Sequence, residues 1–225
     1  MTRCPRCGRP VPSSSDARGQ LCPVCLMEVA LEDTSAELGP SCRVLSVIGR
    51  SARGTTFLAE SEDGSPFPRY VALKILDVGA DAVPGAAERL RQVQRKAARV
   101  THPAFAPMLE AGVSVEGRPY LVYEYVRGLP VLLHSEHHGL DRAARLAVVS
   151  AVGAAVALIH RAGLAHGALR PSNVLVSSTG DGGAIRVLDL GEAEALGAIR
   201  PDARAPSTAA DLEDLDALRR AIVGD

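Results

Sequence analysis

Two groups of side chains in this sequence have types and spacings that could do chemistry. The first is near the start, where "CPRCG" and "CPVC" place Cys4, Cys7, Cys22 and Cys25 as two C-x2-C pairs separated by fourteen residues. Each pair fits a tight turn, and the two pairs can converge on one tetrahedral ion. Thiolates at this spacing suit zinc, with Zn–S bonds of about 2.3 Å. Four thiolates close the coordination sphere, so the zinc expected here is structural. The intervening "GRPVPSSSDARGQ" reads as a loop, and so small a segment would take its folding energy from the metal. Two disulfides or free thiols are the alternatives. No apolar export signal is visible, and a reducing cytosol disfavours disulfides, which is also why the chain is expected to be cytoplasmic. Cys42 lies outside the pattern and reads as a small buried apolar residue.

The second group is defined by scarcity. Of the 25 basic residues only Lys74 and Lys96 are lysines. Arginine is the default cation here, so a lysine suggests a place where a compact ammonium is needed rather than a planar fork. Lys74 sits in "YVALKIL", a strand-like run. It is either functional or a surface lysine on an edge strand.

The elements that would position these groups can be read from pattern. From Cys42 the chain runs "CRVLSVIG", "GTTFLAES" and "YVALKIL", short β-branched stretches bounded by turn formers. In "GAAERLRQVQRKAARVTH", Leu90, Val93, Ala97 and Val100 recur at three- and four-residue steps, one face of a helix. Strands follow around "LEAGVSVEG" and "PYLVYEYV". Asp141 is a plausible N-cap for a helix to about Ala162. It contains the longest apolar run, Leu146 to Ile159, which is too short for a bilayer span and reads as buried. Strands "NVLVSS" and "AIRVLDL" flank a Gly-rich loop, and a last helix spans about Ala209 to Val223. "HSEHH" (His134, His137, His138) reads as a solvated surface connection. The formal net charge of −1 gives no global field for nucleic acid or membrane. Arg3, Arg6, Arg9 and Arg18 make the first 27 residues basic, but no aromatics interleave them, so nucleic-acid binding is not expected.

In order and spacing these motifs resemble the bacterial eukaryotic-like Ser/Thr protein kinase family, over roughly Cys42 to Ala221. "IGRSARGTTFLAE" resembles the glycine-rich loop, with Gly49 and Gly54 at its first and third glycine positions and Ser51 at the second. By that resemblance Lys74 would reach the ATP phosphates and Ala72 would pack on the adenine. "YLVYEYVRG" is similar to the inter-lobe hinge, with Tyr123 as gatekeeper and the backbone of Glu124 and Val126 meeting the adenine edge. Leu175 would close the purine slot from below. "HGALRPSN" resembles the catalytic loop: His166 and Asn173 are in place, and Arg170 stands for the lysine. "LDLGEAEAL" resembles the segment whose aspartate, here Asp189, holds Mg²⁺ together with Asn173. Asp211 takes the position that braces the catalytic loop.

The departures are as specific as the matches. Ala168 occupies the place of the aspartate that receives the substrate proton, a role worth about 10²–10⁴-fold. Gly167 replaces the preceding arginine. The glutamate that would pair with Lys74 falls at Val93, so Lys74 should turn to Asp189 or a bound phosphate. Between Gly191 and Asp211 the activation segment is short, with "RAPS" at best a remnant of its usual end, and the later C-lobe helices are missing. The resemblance thus implies an α+β, two-lobed kinase-like fold with a truncated C-lobe, preceded by a zinc ribbon. The expected divisions are a Cys4 module at 1–27, a linker with a short helix at 28–40, an N-lobe and hinge at 41–126, and a C-lobe at 127–225.

Three functions stay open on the sequence. The first is a pseudokinase that holds ATP and Mg²⁺ and acts as a binding, scaffolding or regulatory module, with a protein partner or self-association through the truncated C-lobe. The second is a weak or altered kinase or nucleotidyl transferase. The third is an inert scaffold whose ribbon binds nucleic acid or protein.

Overall fold

The computed structural model describes residues 2–3, 10–11, 42–62, 64–77, 84–114, 117–177, 184–200 and 205–224. The four cysteines at 4, 7, 22 and 25 and the expected linker at 28–40 lie outside the described residues. At the N-terminus Thr2–Arg3 (β1) and Pro10–Val11 (β2) pair antiparallel.

The N-lobe is an antiparallel sheet of five strands: Cys42–Ser51 (β3), Gly54–Ser61 (β4), Tyr70–Leu76 (β5), Met108–Val113 (β6) and Pro119–Glu124 (β7), in the order β3-β4-β5-β7-β6. Side chains alternate across a strand, so each strand serves two faces. On β5, Val71 and Leu73 join Val44, Phe57, Tyr120 and Val122 in one core. The opposite face of β5 carries Leu76, with Ala72 packed at the margin, in a second core shared with the helix Ala86–Ala97 (α1). That helix buries Ala86, Leu90, Val93 and Ala97; the last three are the expected stripe, whose fourth member, Val100, is buried just past the helix end.

The C-lobe is helical. Gly128–Pro130 (β8) leads into Val131–His137 (α2), and then comes Arg142–Arg161 (α3), whose N-cap Asp141 accepts a hydrogen bond from the Ala144 amide at 2.8 Å. The "HSEHH" stretch is therefore helical at its start rather than a loop. Pro130 enters the helix at its N-cap, and the Ser135 hydroxyl bonds back to the Val131 carbonyl at 2.7 Å. Helix α3 has 20 residues and is long and apolar enough to span a bilayer by length and composition alone, longer than the sequence run suggested. Its Val149, Val152, Val156 and Ile159 stripe belongs to the C-lobe core, with Leu218 and Ile222 from the last helix. Val174–Ser177 (β9) and Ile185–Val187 (β10) form a three-stranded sheet with β8. Glu192–Ile199 (α4) and Thr208–Val223 (α5) complete the lobe.

Asp211 on α5 ties this lobe to the catalytic loop. Fully buried, its carboxylate accepts hydrogen bonds from the His166 amide (2.7 Å), the Gly167 amide (2.6 Å) and His160 Nε2 (2.8 Å). His166 is also fully buried, and its Nε2 lies 2.8 Å from the Leu188 carbonyl. A carbonyl only accepts, so Nε2 carries the proton and Nδ1 is a buried acceptor with no partner among the described residues. Burial holds the His166 pKa below the ordinary histidine value, despite the raising pull of the Leu188 hydrogen bond and the nearby carboxylates.

Two stability outcomes follow. Asp211→Ala leaves one buried and two partly buried donors without their acceptor, and should cost about 3–5 kcal/mol. Urea unfolding should show it as a lower midpoint with an unchanged slope. Because the folded pKa of His166 lies below its unfolded value, the unfolded chain takes up this proton first. The contribution is intact above the ordinary histidine range and is lost as pH falls through it. A pH series of melts should show that loss, and His166→Gln should flatten it.

Candidate functional site

Lys74 faces the cleft between the lobes and is only 4% exposed. An ammonium buried this far requires opposite charge around it. Two carboxylates provide it: Asp189 Oδ2 at 2.8 Å, in a hydrogen bond, and Glu192 Oε1 at 2.8 Å, in an ion pair. Arg53 Nη1 lies 3.7 Å from the other oxygen of Glu192. Burial, followed by the Asp189 charge, pushes the Glu192 carboxyl above the usual carboxylate range, and Lys74 and Arg53 pull it back down.

Local structure delivers Asp189 to this point. After β10, the Leu188 amide donates to the Asn173 carbonyl at 2.8 Å, which fixes the chain beside the catalytic loop. Asp189 then takes φ 62°, the single positive φ at a non-glycine residue among the described residues. Such outliers cluster where geometry is dictated by function. The expectation that Lys74 turns to Asp189 matches this geometry.

Sequence reasoning missed Glu192. The motif spacing puts the expected partner on α1, where the position holds Val93, and Val93 packs in the apolar core beside Gly191. The available signal was "GEAEAL", a glycine followed by two glutamates at the start of an apolar stretch. Acidic residues there favour a helix N-terminus.

Between the lobes lies a cavity of about 410 Å³. This is within the range of about 300–1,000 Å³ typical of small-molecule sites. Gly49, Ser51, Ala72, Lys74, Glu124, Val126, Asn173, Leu175 and Asp189, all named from the sequence, line it. Ser51 uses its hydroxyl within the β3–β4 turn, accepting from the Arg53 amide at 3.1 Å. Tyr123 closes the back; its buried hydroxyl reaches the Leu190 carbonyl at 3.4 Å, and burial raises its pKa well above the ordinary value. Glu124 is bridged at 3.2 Å to Arg186 on β10, across the hinge. Gly54 is not in the cavity wall. It packs on β5, where an added Cβ would sit 2.0 Å from the Ile75 carbonyl oxygen, so its glycine serves close strand approach.

The catalytic-loop residues divide. The side-chain amide of Asn173 donates to the Ala168 carbonyl at 3.0 Å and stays at the cavity edge. His166 lies beneath the loop in the core. Arg170 opens onto a separate cleft of about 430 Å³ that Arg53, Gly167 and Arg200 also line. Ala168 is 2% exposed. Gly167 explains how the next segment comes so close. It has φ 68°, and an added Cβ would lie 2.6 Å from Pro206 Cβ and 2.8 Å from Ala193 Cβ. An arginine here would collide with the segment carrying α4.

Comparison with known proteins agrees with the fold. The model of the lipopolysaccharide kinase (Kdo/WaaP) family matches residues 85–223. A probable serine/threonine-protein kinase of Streptomyces coelicolor is 31% identical over 166 residues, which is 72% of this chain and 23% of that protein. The serine/threonine-protein kinase PknA of Mycobacterium tuberculosis is 34% identical over 140 residues, 58% of this chain and 31% of that protein. The chain thus spans less than a third of the length of either relative. Among solved structures, the PknI kinase domain of M. tuberculosis aligns with TM-score 0.63 and 25% identity, over 84% of this chain and 77% of that one. A two-lobed protein-kinase fold carrying a family match over more than half its length identifies this chain as a member of the lipopolysaccharide kinase (Kdo/WaaP) family, among the bacterial kinase-like proteins.

Proposed function

We propose that this chain is a pseudokinase. It would bind ATP with Mg²⁺ in the interlobe cavity, transfer no phosphoryl group to protein hydroxyls, and act as a binding or regulatory module in the cytoplasm. The observation that carries the reading is a pairing of retained and lost chemistry. A lysine, an amide and a carboxylate still meet at a nucleotide-sized cavity, while the position of the catalytic base is a buried methyl group. A methyl group neither accepts a proton nor orients a nucleophile. Asp189 and Asn173 offer hard oxygen donors of the kind Mg²⁺ takes alongside phosphates, and the ion would neutralise phosphate charge there. Lys74 would donate to the phosphates. Val126, whose backbone has no hydrogen-bond partner among the described residues, is open to an adenine edge.

In front of this domain Cys4, Cys7, Cys22 and Cys25 would hold a structural zinc. For a protein partner, the exposed Leu133, Leu146 and Leu212 on the C-lobe helices offer apolar contact. No basic field favours nucleic acid.

Thermal melts test the nucleotide reading. ATP with Mg²⁺ should raise the midpoint saturably, by about 2–5 °C at saturating nucleotide. The rise should need Mg²⁺ and vanish in Lys74→Ala. Radiolabel transfer from ATP to the chain or to a generic protein substrate should stay at background. Measurable transfer would convert the reading to a weak transferase, which the intact Lys74, Asn173 and Asp189 would then explain. No shift at millimolar ATP would leave a scaffold. Elemental analysis should find about one zinc per chain, lost together with N-terminal protease resistance in Cys22→Ser.

A further inference from the structure

The two carboxylates on Lys74 are not equivalent. Asp189 lines the cavity and its side chain is 17% exposed, whereas Glu192 is 1% exposed and stands outside the cavity wall, behind the ammonium. With Asp189 also holding Mg²⁺, Lys74 would share that carboxylate with the metal while it donates to the phosphates. Something behind it has to remain.

No residue of α1 can serve. Val93 is apolar and buried in the core. Gln94 donates to the carbonyls of Met108 and Leu109, at 3.4 and 3.2 Å. Gln92 and Glu88 are occupied with each other and with Arg91 and Arg95 on the exposed face. Glu192, by contrast, is held firmly. Its amide donates to the Asp189 carbonyl at 3.1 Å, and it opens α4, which buries Ala195, Leu196 and Ile199 against α1. Lys96 pairs with Glu194 at 2.7 Å across the same contact. Arg53 compensates the second oxygen of Glu192.

We infer that Glu192 is the positioning residue for Lys74 in the nucleotide-bound state, replacing any anchor on α1. The assignment rests on the nucleotide reading above. It carries a regulatory consequence: the anchor belongs to the segment after Gly191, so nucleotide affinity is coupled to the seating of α4 on α1. Displacing α4 removes the carboxylate behind Lys74 and weakens the hold on phosphate, leaving the adenine slot intact.

The test is to compare ATP–Mg²⁺ with adenosine in equilibrium titrations of the full chain. Glu192→Gln keeps the shape and removes the charge. It should weaken ATP roughly tenfold while adenosine, which never meets Lys74, changes by less than about twofold. A merely structural Glu192 would lose both ligands equally, which would overturn the assignment. Unchanged ATP affinity would also overturn it, as would tighter binding, because Glu192 would then be a competitor for Lys74. Absence of ATP binding by the wild-type chain sinks the nucleotide reading and the assignment with it, an outcome distinct from a mutant-only result. Should Glu192→Gln fail to fold, a structure of the wild-type chain with Mg²⁺ and a non-hydrolysable ATP analogue decides. Lys74 should stay in ion-pair contact with Glu192 while Asp189 turns to the metal, and a released Glu192 would refute the role.

Discussion

A single buried ammonium sets the terms for the rest of this structure. Lys74 rises from the middle of the N-lobe sheet, and both carboxylates that make its burial tolerable come from the segment after β10, in the other lobe. A buried charge without partners would be far more costly than any surface ion pair is worth. The lobes are therefore held in a register that brings Asp189 and Glu192 to Lys74. The helix beginning at Glu192 is drawn in beside α1 by that requirement. Val93 is apolar because the face of α1 that could have supplied a carboxylate instead packs against α4.

Below this clamp, the catalytic loop is held by a buried carboxylate and a buried imidazole. Asp211 still gathers the amides of His166 and Gly167, and His166 still fixes the Leu188 carbonyl. What has gone is side-chain bulk and charge. Gly167 leaves room for Ala193 and Pro206 to settle onto the loop, and the neighbouring Ala168 is buried.

The comparisons fix the family and the fold, and the site has to be judged on its own residues, because folds host many chemistries. The family match begins at residue 85 and so leaves out the glycine-rich turn and Lys74. Those parts are defended here by geometry. Residues named from the sequence, from Gly49 to Asp189, line one cavity, and Gly54, which does not, has its own reason in the approach of β5.

Much of this was legible in the sequence because it depends on local pattern. Short β-branched runs between turn formers mark β4 and β5 with their observed ends, the three- and four-residue stripe marks α1, and Asp141 marks the start of α3. Motif spacing brought Lys74, Asn173, Asp189 and Asp211 to their neighbours, since spacing along fixed elements determines where side chains converge. The helical start of "HSEHH" and the whole of α4 escaped. Both are short segments whose intrinsic tendency to form a helix in isolation is weak. Helix α4 forms because its apolar face finds α1 and its first residue finds Lys74. Composition and motif spacing settle which charges the site contains. That a glutamate from the far lobe, not one from α1, pairs with the lysine depends on packing between elements distant in the chain, which local pattern does not encode.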